Sequence, residues 1–284
     1  MKLRYRTVWI SDTHLGSRSA QVKNLAYFLK QVRCKRLYLV GDIVDMHCLR
    51  HRWYWPVAHN EVVRRLLKIA KKGAEVIFIP GNHDAAARQY LFLEFGGLQF
   101  RHEAVHTTAD GRKLLVTHGD QFDFVVQNAP WLAALGTWAY DLLVMANRYY
   151  NGLRWCFGLP YSSLSRTIKL KVKSACKVIS NFEEMLAKDA HRRGLDGVVC
   201  GHIHMAEARL IDGMQYYNCG DWIESCTCVV EHMDGRIEAI DAMETIKGFA
   251  ALKALAKARL KAQSGTPQTD QQEVNLCPPE IPVP

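Results

Sequence analysis

The sequence predicts an α/β fold organised on parallel strands, and three observations predict it. Up to Asp120, short runs rich in β-branched and aromatic residues alternate with helical patterns, which is the grammar of βαβ units. Compact histidine- and aspartate-rich motifs follow those runs directly, at the place where the strands of such a sheet end. Beyond His204, turn signals separate further short runs, the pattern of antiparallel hairpins.

Thr7-Val8-Trp9-Ile10, Leu37-Tyr38-Leu39-Val40, Val76-Ile77-Phe78-Ile79, Leu114-Leu115-Val116-Thr117 and Val198-Val199-Cys200 read as buried strands. Between the first two, Val22, Leu25, Leu29 and Val32 form one helical stripe. A second helix is expected from Pro56 to Gly73, with Val62, Val63, Leu66, Leu67 and Ala70 facing inward. Residues 121 to about 190 carry helical patterns without a strand signal and read as a helical insertion. Runs at Glu207 to Ile211, Gln215 to Tyr217, Cys226 to His232 and Arg236 to Ile240 are broken by Asp212-Gly213 and Asp234-Gly235. They predict hairpins that complete a second sheet, and alternation along Cys226-Thr227-Cys228 puts both thiols on one face. One domain is expected over residues 1–245, then a basic helix over 246–263 and a disordered tail over 264–284.

With 284 residues and 49% hydrophobic content, the chain is long enough to bury a full core. Its nine cysteines fit no zinc-finger spacing, so reduced thiols and a cytoplasmic setting are expected. No secretory leader is expected, because the first strand starts near Tyr5. The longest weakly charged stretch, Ala129 to Tyr140, contains Pro130 and is too short to span a bilayer. A net charge of +9 points to a polyanionic partner: a phosphorylated substrate, an anionic membrane surface or nucleic acid. The cations gather on amphipathic helices rather than along an aromatic-studded groove, which argues against nucleic acid. Nothing in the pattern speaks to oligomeric state.

The motifs are Asp12-Thr13-His14, Gly41-Asp42, Gly81-Asn82-His83-Asp84, His118-Gly119-Asp120 and Gly201-His202-Ile203-His204. Side chains just past the strand ends converge on one crevice, and residues two apart at a strand end point the same way. Asp12, His14, Asp42, Asn82, His118, His202 and His204 then offer hard oxygen and imidazole donors with no thiolate. Such a set suits two divalent metal ions, Mn²⁺ first, with Fe²⁺ or Zn²⁺ as alternatives. Two ions sharing a carboxylate activate water against a phosphoryl group. Any one motif alone is usually structural. Together, without a metal, they would leave several buried charges uncompensated. The glycines allow close backbone approach.

His47, His51, His59, His102, His106, His191 and His232 match no motif and read as surface or core residues. In the run from Arg50 to Pro56, Arg50, Arg52 and Trp53 are candidate grips for an anionic or nucleotide substrate. The alternative is packing against the following helix, or a dimer contact.

The ordered motifs resemble those of calcineurin-like metallophosphoesterases over residues 5 to 245. The resemblance implies a four-layer α/β/β/α sandwich. It implies Asp12, His14, Asp42 and His204 around one metal, and Asp42, Asn82, His118 and His202 around the other, with Asp42 as the bridge. It makes His83 the catalytic cation that binds the phosphoryl group and protonates the leaving oxygen, with Asp84 oriented to raise its basicity. A water bridging the metals is then the nucleophile.

The placement of the insertion between His118-Gly119-Asp120 and Gly201-His202-Ile203-His204 most resembles the UDP-2,3-diacylglucosamine pyrophosphatase family of lipid A biosynthesis. In that family water attacks a diphosphate to release an acylated sugar 1-phosphate and UMP. That family carries Gly-Asn-Arg-Asp where this chain carries His83 in the third place, the form of general phosphoesterases. Another phospholipid, a nucleotide or a phosphoprotein therefore stays open as substrate, and so does a non-enzymatic scaffold, although scaffolds tend to lose ligands.

Apolar residues from Phe122 to Met145 suit a lid for acyl chains. A cationic stripe with Arg166, Lys169 and Lys173 suits an anionic headgroup, or else marks a solvated helical cap. The C-terminal helix, with Phe249, Leu252, Leu255 and Leu260 among cations, is expected either on the anionic inner surface of a membrane or in solvent.

Overall fold

The computed structural model describes residues 2–122, 142, 145–157 and 182–263. The first half runs β1 (Leu3–Arg4), β2 (Thr7–Ile10), α1 (Val22–Gln31), β3 (Val32–Arg33), β4 (Arg36–Val40), α2 (Met46–His51), α3 (Val57–Lys71) and β5 (Glu75–Ile79). A 3₁₀ helix (Ala85–Tyr90) leads to β6 (Glu94–Phe95), β7 (Leu98–Phe100), β8 (Ala104–Thr107) and β9 (Lys113–Val116). Helix α4 spans residues 145–156. Then come α5 (Phe182–Arg192), β10 (Gly197–Cys200), β11 (Glu207–Ile211), β12 (Met214–Asn218), β13 (Thr227–Glu231), β14 (Ile237–Asp241) and α6 (Ala242–Gln263).

Successive side chains of a strand point to opposite faces, and that alternation decides the layering. Val8 and Ile10 of β2, Leu37 and Leu39 of β4, and Val76 and Phe78 of β5 form one core with Leu25, Phe28 and Leu29 of α1 and Val62 and Leu66 of α3. Trp9, Tyr38, Ile77 and Ile79 on the reverse face meet Leu114, Val116 and Val199 of the second sheet. The far face of that sheet, with Leu115, Val198 and Tyr216, is covered by Phe182, Leu186, Ala187 and Ala190 of α5. The result is the predicted four-layer α/β/β/α sandwich. Each fully buried Leu, Ile or Val contributes about 1.5–3 kcal/mol of transfer free energy.

The seven-stranded sheet has the order β14-β13-β2-β4-β5-β7-β6, and the five-stranded sheet β11-β12-β10-β9-β8. Strands β2, β4, β5 and β7 are parallel neighbours, as βαβ units require. The four runs after His204 do form two hairpins, but they do not complete one sheet together. β11 and β12 extend the five-stranded sheet, whereas β13 pairs antiparallel with β2 in the other. The reason is burial on both faces: Cys228 and Val230 enter the helix-side core and Val229 the inter-sheet core, so β13 fits only in a sandwich interior. Cys226 and Cys228 do share one core.

Helix α3 follows Pro56 and buries Val62 and Leu66 as expected, but also His59, while Val63 is exposed. Helix α6 begins earlier than residue 246, because Asp241 Oδ1 accepts from the N–H groups of Met243 and Glu244 at 2.8 and 2.9 Å and caps the first turn. The chain divides into the units Met1–Ile246 and Lys247–Pro284. Most of the insertion, including Arg166, Lys169 and Lys173, and the tail 264–284 lie outside the described residues. Among the described residues, no helix is long and apolar enough to cross a membrane.

Candidate metal centre

Every motif stands where its strand ends: Asp12 after β2, Asp42 after β4, Asn82 after β5, His118 after β9 and His202 after β10. The backbone there is tightly folded. Asp12, His14, Asp42, His202 and His204 all adopt left-handed conformations, with φ of 51°, 45°, 54°, 73° and 53°, at roughly 1–3 kcal/mol of strain each. Gly41, at φ 76°, approaches so closely that a Cβ there would overlap the His118 ring.

Of three groups of donors, two are Asp12, His14 and His204, and Asp42, His118 and His202, while the third joins His14 to Asp45 and His83; the ligand atoms within each lie no more than 4.8 Å apart. Asp12, His14, Asp42 and His118 are buried. Asp42 Oδ2 lies 3.4 Å from His118 Nε2 and 3.9 Å from His14 Nε2, so one carboxylate oxygen faces an imidazole of each group. Asn82 Oδ1 lies 3.3 Å from His118 Nε2. His118 Nδ1 donates to Val40 O at 3.0 Å, which leaves Nε2 as its ligating nitrogen.

The residues fit a cation. His14 Nε2 is buried without a hydrogen bond, a costly condition for a polar atom that a divalent ion relieves, and Asp12 Oδ1 faces His204 Nε2 at 3.1 Å. Burial opposes the charged state of His14, yet the bond to Asp45 and the charges of Asp42 and Asp12 push it up to about 9. His118 is likewise pushed up to about 10, burial being outweighed by Asp42. Asp12 is drawn down to about 2 against its burial by His204 and His118. The carboxylates thus create a strong field for positive charge.

His83 is turned toward Asp45, not Asp84. Its Nδ1 lies 3.2 Å from Asp45 Oδ1, while Asp45 Oδ2 lies 3.3 Å from His14 Nδ1. Burial opposes protonation of His83, but Asp45 and Asp42 raise its pKa. Asp84 does something else. Its oxygens accept from the backbone N–H groups of Gly81 at 2.6 Å, Ile43 at 2.8 Å, and Asp42 and Val44 at 3.3 Å each. Fully committed to backbone, it clamps the Asp42 loop to the Asn82 loop. Burial, then repulsion from Asp42, raises its pKa to about 6.

Asp45 is no member of the sequence motifs, although its place three residues after Asp42 is that of an N-cap: its Oδ1 accepts from Cys48 N at 2.8 Å at the start of α2. Asn218 had no such signal. Its Nδ2 donates to Gly201 O at 2.8 Å and its Oδ1 accepts from Gly220 N at 2.9 Å, which fixes the backbone just before His202.

Residues 5–206 match the family model described as calcineurin-like phosphoesterase. The chain belongs to that family. Among curated proteins it is 26% identical over 215 residues to the UDP-2,3-diacylglucosamine hydrolase of Blochmanniella pennsylvanica, covering 69% of this chain and 78% of that one. It is 27% identical over 121 residues to the UDP-2,3-diacylglucosamine hydrolase of Serratia proteamaculans, covering 40% of this chain and 48% of that one. A solved structure, vacuolar protein sorting 29 from Cryptosporidium parvum, aligns over 82% of this chain and 94% of that one, at 15% identity and a TM-score of 0.39. This phosphoesterase is a metal-dependent phosphoester hydrolase.

Of the substrate candidates, Arg50, Arg52 and Trp53 are exposed, on α2 and the loop after it. The neighbouring rings Tyr54 and Trp55 pack on His59, with centroids 5.9 and 5.1 Å away. Trp55 Nε1 also donates to Asn60 Oδ1 at 2.8 Å. The packing reading thus holds for those two rings, and Trp53, its ring centroid 6.4 Å from that of Trp55, stays 75% exposed.

Proposed function

We propose that this phosphoesterase is dinuclear and hydrolyses the diphosphate of a lipid-linked nucleotide sugar of the UDP-2,3-diacylglucosamine kind. Asp12, His14, Asp42 and His204 would hold one divalent ion, and Asp42, Asn82, His118 and His202 the second. The observation that carries this is Asp42 Oδ2, within 3.9 Å of an imidazole nitrogen from both donor groups. Such ions, Mn²⁺ before Fe²⁺ or Zn²⁺, supply Lewis-acid activation of water and neutralise the phosphoryl oxygens.

The chain's own residues do the rest. Asp45 accepts from His83 Nδ1 and leaves Nε2 to donate to a phosphoryl oxygen, then to the departing one as charge develops on it. Asp84 keeps the two ligand loops in register. The acylated substrate draws on the names of the curated relatives and on the apolar side chains that α4 leaves exposed, Met145, Tyr149 and Leu153. An acylated sugar of this kind resides at an anionic membrane surface, which the chain's charge of +9 favours.

A second reading has its own support. The His83–Asp45 pair suits phosphomonoesters and diesters as well as diphosphates. Purified protein loaded with Mn²⁺ and assayed on UDP-2,3-diacylglucosamine, UDP-glucose, phosphatidic acid and bis(p-nitrophenyl) phosphate separates the two. The lipid reading expects the acylated nucleotide sugar to have the highest kcat/KM and Asp42→Ala to abolish turnover. A preference for the non-acylated esters assigns the second reading, and no turnover of any ester by metal-loaded protein excludes both.

A further inference from the structure

Helix α2 is fixed to the rim of the metal centre. Asp45 N donates to Leu15 O at 2.8 Å and Met46 N to His83 O at 3.2 Å, while the Asp45 carboxylate holds His14 and His83. From the buried centre, imidazoles run outward in file. The His83 ring lies 4.6 Å from that of His14, His47 lies 6.2 Å from His83, and His51 lies 5.0 Å from His47. His47 and His51, four residues apart, share one helix face, and both are exposed. Arg50 and Arg52 accompany them.

This cluster of two imidazoles and two guanidinium groups has no acidic partner. Among the described residues, no ion pair or hydrogen bond engages the side chain of His47, Arg50, His51 or Arg52. Several arginines elsewhere are paired, Arg36 with Glu75, Arg88 with Asp120, Arg112 with Asp110 and Arg236 with Glu238. The one acid at the start of α2, Asp45, is already shared between His14, His83 and the Cys48 N–H. An unpaired cationic group beside a phosphoryl-binding site attracts anions. Imidazole and guanidinium N–H groups bind phosphate oxygens directly, guanidinium in bidentate fashion. With ring centroids 6.2 Å apart, His47 stands directly beside His83.

We propose that His47, Arg50, His51 and Arg52 form a second anion subsite for the phosphate adjoining the one attacked at the metal centre. The inference rests on the metallohydrolase reading and deepens it: the substrate carries two joined phosphates. A monoester would leave these four side chains without a role.

The test uses Mn²⁺-loaded full-length protein titrated calorimetrically with methylenediphosphonate and with orthophosphate, in the wild type, in H47N/H51N and in R50Q/R52Q. All four positions are exposed, and far-UV circular dichroism checks the fold. The subsite expects either pair of substitutions to weaken methylenediphosphonate by about tenfold or more and orthophosphate by no more than about twofold. Equal weakening of both anions, or none in either variant, overturns the subsite. So does a loss confined to a single-stranded oligonucleotide, which would assign the cations to a polymer. If loaded wild-type protein binds neither anion and hydrolyses no aryl phosphate, the metal reading fails and the subsite with it. If orthophosphate binding and hydrolysis persist while the ratio is unmoved, only the subsite fails.

Discussion

Asp45 serves two imidazoles with different proposed duties, His14 as a metal ligand and His83 as the donor to the phosphoryl group. Asp45→Asn should therefore lower kcat by about 10²-fold and weaken Mn²⁺ by about tenfold, read from steady-state kinetics at saturating metal and from metal titration. Asp84 predicts a different signature, because it binds backbone N–H groups and not His83. Asp84→Ala strands those groups and should cost about 1–3 kcal/mol of stability, while the pH–rate profile keeps its limbs. A displaced limb in Asp84→Ala, with none in Asp45→Asn, would restore Asp84 as the partner of His83. Asn218→Ala frees the Gly201 carbonyl and should weaken metal binding by about tenfold or more, measured by competition with a chromogenic chelator.

Helix α3 buries the His59 imidazole with no acceptor beyond the Pro56 carbonyl. Burial lowers its pKa, partly offset by the Pro56 carbonyl. A histidine depressed in the folded state binds more protons when unfolded, so stability rises with pH and is lost as pH falls through the ordinary histidine value of about 6.5. His59→Phe should therefore raise Tm most at pH 5 and least at pH 8. A uniform rise would mean that packing alone is responsible. The position also explains why the loop before α3 divides its aromatic residues. Tyr54 and Trp55 cover His59, while Trp53 and the cations of α2 stay exposed beside the site.

Across the whole molecule, the two sheets are joined at the end opposite the motif loops by Glu231 of β13 and His106 of β8, 3.0 Å apart. Thr7 Oγ1 and Ala109 N also donate to the Glu231 carboxylate, each at 2.7 Å. Burial opposes ionisation of Glu231, but the bonds from His106, Thr7 and Ala109 outweigh it and lower its pKa. A depressed carboxyl stabilises the fold above its unfolded pKa of about 4.3 and loses that contribution as pH falls through the folded value. Glu231→Gln should thus reduce Tm at pH 7 and flatten the acid limb of the stability curve, measured by calorimetry between pH 3 and 7. Metal couples to the same fold. Because His14 and His118 are held protonated, at about 9 and 10, Mn²⁺ uptake at pH 7 should release protons. Titration in two buffers of different ionisation enthalpy detects that release, and metal at 100 times its Kd should add about 2.7 kcal/mol of stability.

The sequence by itself determined the strand ends, the gathering there of the candidate donors Asp12, His14, Asp42, Asn82, His118, His202 and His204, and the α/β layering. Hydrophobic period, turn residues and metal-donor chemistry are written locally along a chain. Tertiary structure alone decided that β13 joins β2, that Asp45 and not Asp84 orients His83, that Asn218 braces the His202 turn, and that His47 stands in file with His83. Each of these depends on which loops meet across the sandwich and on which atoms remain unsatisfied once they do. Local pattern does not encode those quantities, since a carboxylate's partner is set by three-dimensional proximity and not by its neighbours in sequence.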